Sequence, residues 1–237
     1  MLLGMMRKAR VLGRQALGSE PWIRREVSLP LEFHGNDYCG WSVPRGGLRG
    51  DSVVVDVGLG EDMVFSLSLM DRYGLTVHGF DPTPRALAYA AGVKRPGLEI
   101  HPFGLAARDG EADFYLPNDS SHVSGSLVAA SHVGRETLKV SLIGMATLRR
   151  LIGGRRINVL KMDIEGAEYD VINSIEFEEH APGIDVLCVE FHHRWKGVGV
   201  RATTAAVERL RSLVFRCTWL SSASNEEFTF VRQVQRS

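Results

Sequence analysis

A chain of 237 residues, 44% of them hydrophobic, is long enough to bury a full core without covalent staples. Its 28 basic and 28 acidic residues cancel, which argues against nucleic acid and stable membrane insertion as partners drawn by a bulk field. Cys39, Cys188 and Cys217 are scattered and form no CxxC pair, which argues against a disulfide framework or a thiolate zinc site and fits a reducing, cytoplasmic compartment.

The first 32 residues form a basic N-terminal segment expected to be helical, with Arg7, Lys8, Arg10 and Arg14 interleaved among Met, Leu and Val. Charges that interrupt the apolar stretch are wrong for a secretory signal, whose charges precede an unbroken run. A membrane-touching amphipathic helix and a docked terminal helix both remain open for it.

From residue 50, short apolar runs alternate with helical spacing, the pattern of βαβ units and a mostly parallel sheet. Strands are expected over 53–57, 76–80, 98–103, 159–164 and 186–191, and helices over 63–73, 85–91, 146–152, 167–175 and 203–213. Val53, Val54 and Val55 are continuously apolar, as in a central strand covered on both faces. Gly74, Gly92 and Gly153 fit helix stops, and Thr83-Pro84 fits a helix start. The stretch beginning GEADFYLPNDSSHVSG, with the following TLKVSLIG, reads as a β-ribbon or long loop over the carboxyl edge of the sheet, where such insertions set specificity. VFRCTWL and FTFVRQV read as an antiparallel pair closing one edge.

After the first strand comes GLGED. Gly58 and Gly60 allow backbone amides to approach a ligand, but Met63 stands where a dinucleotide turn wants its third glycine. Asp56 and Asp62 make an acidic rim that repels a pyrophosphate and suits a cation. S-adenosylmethionine is such a ligand. In HGFDPTP, Asp81 ends the second strand at the distance where a carboxylate bridges ribose hydroxyls, and helix capping is its structural alternative.

VVDVGLGEDMVFSLSL, GFDPTPRAL, KMDIEGAEYDVI and EEFTFVR, in that order, resemble the FkbM family of S-adenosylmethionine-dependent methyltransferases, over roughly residues 33–232. FHGNDYCGWSVP resembles a segment preceding the fold in some members. The resemblance implies a Rossmann-like, seven-stranded class I methyltransferase sheet over residues 33–237, mostly parallel with an antiparallel C-terminal edge strand. It also implies methyl transfer to oxygen on a sugar or secondary metabolite. The turn GLGED departs from the family's more usual alanine-asparagine form.

In that topology Asp163 emerges beside the first strand at the ligand-binding edge. Glu165 reads as a helix cap and Glu168 as a surface residue or a site carboxylate. CVEFHHRW brings Glu190 and His192 to one face of the next strand, with His192 a general base. Asp163 and Glu190 could instead hold Mg2+. His34, Tyr38 and Trp41 are expected at the cofactor pocket, Trp41 with a packing role as its alternative, and His122 and Ser124 on the substrate side. The partner is a small-molecule or glycan hydroxyl, and a homodimer is left open. The rival readings are a NAD-binding oxidoreductase and a non-catalytic binding module.

Overall fold

In the computed structural model, residues 2–37, 39–117, 133–195, 197–222 and 224–233 are described. The chain opens with α1 (Leu2–Ala16) and an antiparallel hairpin, β1 (Leu31–Gly35) and β2 (Gly40–Pro44). β3 (Val53–Val57), α2 (Val64–Tyr73), β4 (Thr76–Phe80), α3 (Pro84–Ala91) and β5 (Leu98–His101) follow. A ribbon of β6 (Gly104–Leu105), β7 (Gly110–Pro117) and β8 (Val133–Ile143) interrupts the alternation. It resumes with α4 (Met145–Leu151), β9 (Ile157–Met162), α5 (Glu168–Asn173), α6 (Ile175–His180), β10 (Ile184–Glu190) and α7 (Gly199–Ser212). β11 (Phe215–Leu220) and β12 (Glu227–Arg232) end it.

Seven strands form one sheet in the order β11-β12-β10-β9-β3-β4-β5. β3, β4, β5, β9 and β10 run parallel to their neighbours, while β12 is antiparallel to both β10 and β11. The expected antiparallel pair therefore closes that edge, with β12 slotted inside β11. Strand order reverses between β3 and β9, and this is where an open α/β sheet binds ligands. β3 is buried along its whole length. Val53, Val55 and Val57 join the core on one face, and Val54 joins Phe65, Leu69 and Val159 on the other.

Local chemistry explains where elements stop. β5 ends at His101, two residues before the expected boundary, because Pro102 has no amide to donate. The single helix expected over 167–175 is two. Ser174 adopts extended backbone and accepts from the Phe177 amide at 3.0 Å, capping α6 as serine does at helix starts. Thr83 likewise caps α3 with Pro84 in its first turn, as the sequence suggests.

The stretch before residue 33 is tied into the sheet domain. Ile23 enters the main core, and Glu26 accepts from the Cys217 amide at 2.8 Å and pairs with Arg211. Glu20, 1% exposed, meets His193 Nε2 at 2.9 Å, Asn225 Nδ2 at 2.9 Å and Arg194 at 2.6 Å. Burial pushes its carboxyl up, but these donors outweigh that and hold it below the usual carboxylate value. Its contribution is thus present above that ordinary value and lost as pH falls through the lowered one. Removing one member of such a buried network costs about 3–5 kcal/mol. Glu20→Ala is expected to lose about that much in denaturant unfolding at neutral pH, and a loss under about 1 kcal/mol would show that the segment is not anchored there.

Candidate active site

A cleft of about 1160 Å³ opens at the carboxyl ends of β3, β4, β9 and β10. Its floor is the turn after β3. Gly58 sits at φ 84° and Gly60 at φ 54°, the left-handed region where glycine carries no side-chain penalty. At Gly58 a second reason is stronger: an added Cβ would lie 1.7 Å from the Asp163 carbonyl oxygen. The Asp163 amide donates to Val57 O at 3.0 Å, and the Gly58 amide to Phe80 O at 3.0 Å. The ends of β3, β4 and β9 are thus drawn together around one glycine.

Beneath this turn lies a buried ion pair. Lys161 on β9 is opposite Asp56 on β3, and Lys161 Nζ is 3.0 Å from Asp56 Oδ1 and donates to Gly58 O at 2.9 Å. Ser66 donates to Asp56 Oδ2 at 2.6 Å. Both charged side chains are nearly inaccessible. Burial works against the ammonium, but Asp56 and the other nearby charges outweigh it and raise Lys161 above its ordinary value. Asp56 was expected on the rim, yet it is not among the side chains lining the cleft. It acts through Lys161, which does reach the cleft wall. A cation within the apolar run VLKM was the signal for this pair.

Asp81 is 5% exposed and braces the turn from β4. Its Oδ2 accepts from the amides of Leu59 at 3.0 Å and Gly60 at 3.1 Å. Its Oδ1 accepts from the Thr83 amide at 2.9 Å and hydroxyl at 2.6 Å. Asp62 lines the cleft, accepting from Asn36 Nδ2 at 3.0 Å and from the Val64 amide at 2.8 Å. Trp41 lines it too while being 2% exposed and packed 6.3 Å from Trp219, so the wall and packing roles coincide. His34 is elsewhere, bonded to Ser68 and Glu32 at 2.9 Å each. Cys39 lines the cleft, and burial pushes its thiol up to about 12, which removes it as a nucleophile. Tyr38, His122 and Ser124 lie outside the described residues.

The opposite wall collects carboxylates around one imidazole. His192 is 6% exposed. Its Nδ1 is 3.1 Å from Glu168 Oε1, and its Nε2 is 3.2 Å from Glu165 Oε2 and 3.8 Å from Asp163 Oδ1. Burial disfavours its charge, yet the hydrogen bonds to Glu165 and Glu168 prevail and hold it well above its ordinary value. Its protonated form is favoured, which weighs against the general-base role expected for it. Glu168, expected near the surface, is 0% exposed and also accepts from the amides of Gly166 at 2.9 Å and His192 at 3.1 Å. Glu165 leaves β9 at φ 53° and is too far ahead of α5 to cap it. His193, in the turn that follows β10, points away to Glu20.

Burial pushes Asp163 up to about 6, against the pull of Lys161. Burial and the like charge of Asp163 raise Glu190 well above the ordinary carboxylate value, favouring its neutral form. Asp163 and Glu190, expected as a metal pair, both line the cleft, and Asp163 also forms a group of three potential ligands within 4.8 Å with Glu165 and His192. The imidazolium stands where a cation between those carboxylates would be.

The profile described as Methyltransferase FkbM domain matches residues 56–234. The chain belongs to the FkbM family of S-adenosylmethionine-dependent methyltransferases. It is 28% identical over 153 residues to the probable methyltransferase-like protein 24 of Rattus norvegicus and of Homo sapiens, covering 65% of this chain and 36% of each relative. It thus spans about a third of the length of those relatives. The crystal structure of methyltransferase FkbM from Methylobacillus flagellatus KT superposes with a TM-score of 0.50 at 15% identity, over 79% of this chain and 46% of that one. The shared feature is the fold. Among the described residues no helix is long and apolar enough to cross a membrane.

The family's cofactor fits the chemistry of this cleft. Nine of the described carboxylate residues line it against four Arg or Lys side chains and His192, and this acidic excess, which persists with Glu190 neutral, favours a ligand with ammonium and sulfonium charges over a pyrophosphate. Gly58→Ala is expected to abolish S-adenosylhomocysteine binding in calorimetry and to lower the melting temperature, because the methyl group has no space beside Asp163. Wild-type affinity in the alanine variant would contradict the placement of the turn.

Proposed function

We propose that this chain is an O-methyltransferase that moves a methyl group from S-adenosylmethionine to a hydroxyl of a sugar or secondary metabolite, with Asp163 as the base. The observation that supports it most is the poise of Asp163: a carboxylate at the carboxyl edge, raised to about 6, is strong enough as a base to matter and still largely ionised at neutral pH. When bound, the cofactor supplies an electrophilic methyl on sulfur. The chain's own work is alignment and proton removal, which suits a displacement whose barrier is largely positional.

In this reading the turn residues Gly58 and Gly60 give backbone approach to the cofactor, with Asp62 on its cationic side. Asp81 takes the ribose. Both of its oxygens already accept two bonds, so ribose contact requires the Thr83 hydroxyl to turn away, and the Ala86 amide at 3.4 Å holds it afterwards. His192 is a positioning residue: its two ring N–H groups tether Glu165 and Glu168 and keep Asp163 aimed at the acceptor. Neutral Glu190 donates to the acceptor oxygen. Mg2+ is not needed for hydroxyl activation here, since the imidazolium already neutralises the carboxylates that a hard cation would bridge.

Calorimetry is expected to show S-adenosylhomocysteine binding and no NAD binding, and the reverse would favour the oxidoreductase reading. Asp163→Asn is expected to retain S-adenosylhomocysteine affinity while lowering kcat roughly a hundred- to ten-thousand-fold, assayed with labelled cofactor and a panel of hydroxylated acceptors. A base must be unprotonated, so kcat/KM rises with pH through about 6 and falls again at higher pH as His192 loses its raised proton. A flat profile, or an Asn variant with full turnover, would remove Asp163 from the chemistry.

A further inference from the structure

β4 and β5 lie at the edge of the sheet away from β10, and their pairing sets His78 opposite Glu99. His101, two residues beyond Glu99, shares its face of the strand. The His101 ring stacks on Phe80 at 4.4 Å and on His78 at 5.5 Å between centroids. His78 Nδ1 then lies 3.2 Å from His101 Nε2 and 3.4 Å from Glu99 Oε2. All three ligand atoms fall within 4.8 Å of one another.

Three lone-pair atoms meeting at one place draw something positive between them. One N–H from either imidazole can satisfy one neighbour and water reaches the exposed Glu99, but neither serves all three atoms together. A metal ion would serve all three at once. The spacing comes near one: metal–ligand bonds of about 2.0–2.2 Å in tetrahedral zinc imply ligand–ligand edges of about 3.3–3.6 Å. His78 Nδ1 lies near that edge from both partners, at 3.2 and 3.4 Å, and the exposed Glu99 carboxylate, within 4.8 Å of His101 Nε2, has only to swing inward to close the third. Two imidazoles and one carboxylate are a borderline donor set, suited to zinc and its neighbours over magnesium.

We propose that His78, Glu99 and His101 form a binding site for a divalent transition metal ion of the zinc type, separate from the methyl-transfer cleft. Glu99, with 59% of its side chain exposed, gives the ion a way in, and His78 at 5% gives it a rigid inner ligand. The site has the composition of zinc centres with three protein ligands and one open position. It braces β4 against β5 just before Asp81, whose amide donates to the His101 carbonyl at 3.2 Å. The proposal stands whether or not the chain methylates a hydroxyl.

The test is titration of the metal-stripped full chain with Co2+, read by the intense visible absorption of tetrahedral cobalt, followed by displacement with Zn2+. The expected result is one such ion per chain, with affinity lowered at least about tenfold in both His101→Gln and Glu99→Gln and unchanged in His192→Asn. Glu99 is exposed, so its variant keeps the test valid if the histidine variant folds poorly. Absence of tetrahedral absorption, a signal that survives Glu99→Gln at full affinity, or one that disappears in His192→Asn would each overturn the assignment.

Discussion

The ammonium of Lys161 is the group on which this site depends. It bridges Asp56 and the Gly58 carbonyl, so the side chain of one central strand fixes the backbone that leaves its neighbour. A buried pair of this kind returns little net stability compared with an apolar pair of similar volume, because desolvating both charges is costly. What it provides is geometry. A valine or methionine in its place would fill the space but could not grip a carbonyl oxygen, and the turn that follows β3 would lose its register against Asp163.

Charge is sorted by depth around this point. The buried pair and the Ser66 hydroxyl close the floor, Asp81 holds the turn from the side, and the carboxylates that face the cleft outnumber the cations there. On the far wall the excess is managed by one imidazolium, held between Glu165 and Glu168. Proton affinities are pushed apart as a result: His192 keeps its proton, Glu190 is biased to its neutral form, and Asp163 sits near neutrality. Separation of neighbouring titratable groups in this way is how acid and base roles are divided in one cleft.

Much of this was legible before any coordinates. The unbroken VVV of β3, the glycine turn and KMDIEGAE gave the central strands and the edge where the site forms, because buried parallel strands leave an unmistakable apolar run. Side-chain direction was less legible. Asp56 precedes its glycine by two residues and reads as a rim carboxylate, but in a strand covered on both faces any polar side chain must find a buried partner, and that partner is over a hundred residues away. Glu168 reads as either a surface residue or a site carboxylate because helical spacing alone does not say which face meets His192. The hairpin of β1 and β2 carries no strong alternation, and its seat against α2 rests on contacts such as those of Glu32 with Tyr73 and of His34 with Ser68. The break at Ser174 was readable, since a serine followed by acidic residues marks a helix start, but the apolar spacing on either side masked it.

The methyl-transfer account and the family assignment meet in the turn after β3. Replacing Lys161 by methionine and measuring both denaturant unfolding and S-adenosylhomocysteine affinity examines that meeting point directly. The account predicts a stability loss of about 3–5 kcal/mol, from leaving Asp56 buried and unpaired, together with an affinity loss beyond about tenfold, or 1.4 kcal/mol. A variant that stays folded and binds S-adenosylhomocysteine as tightly as the unaltered chain would contradict it.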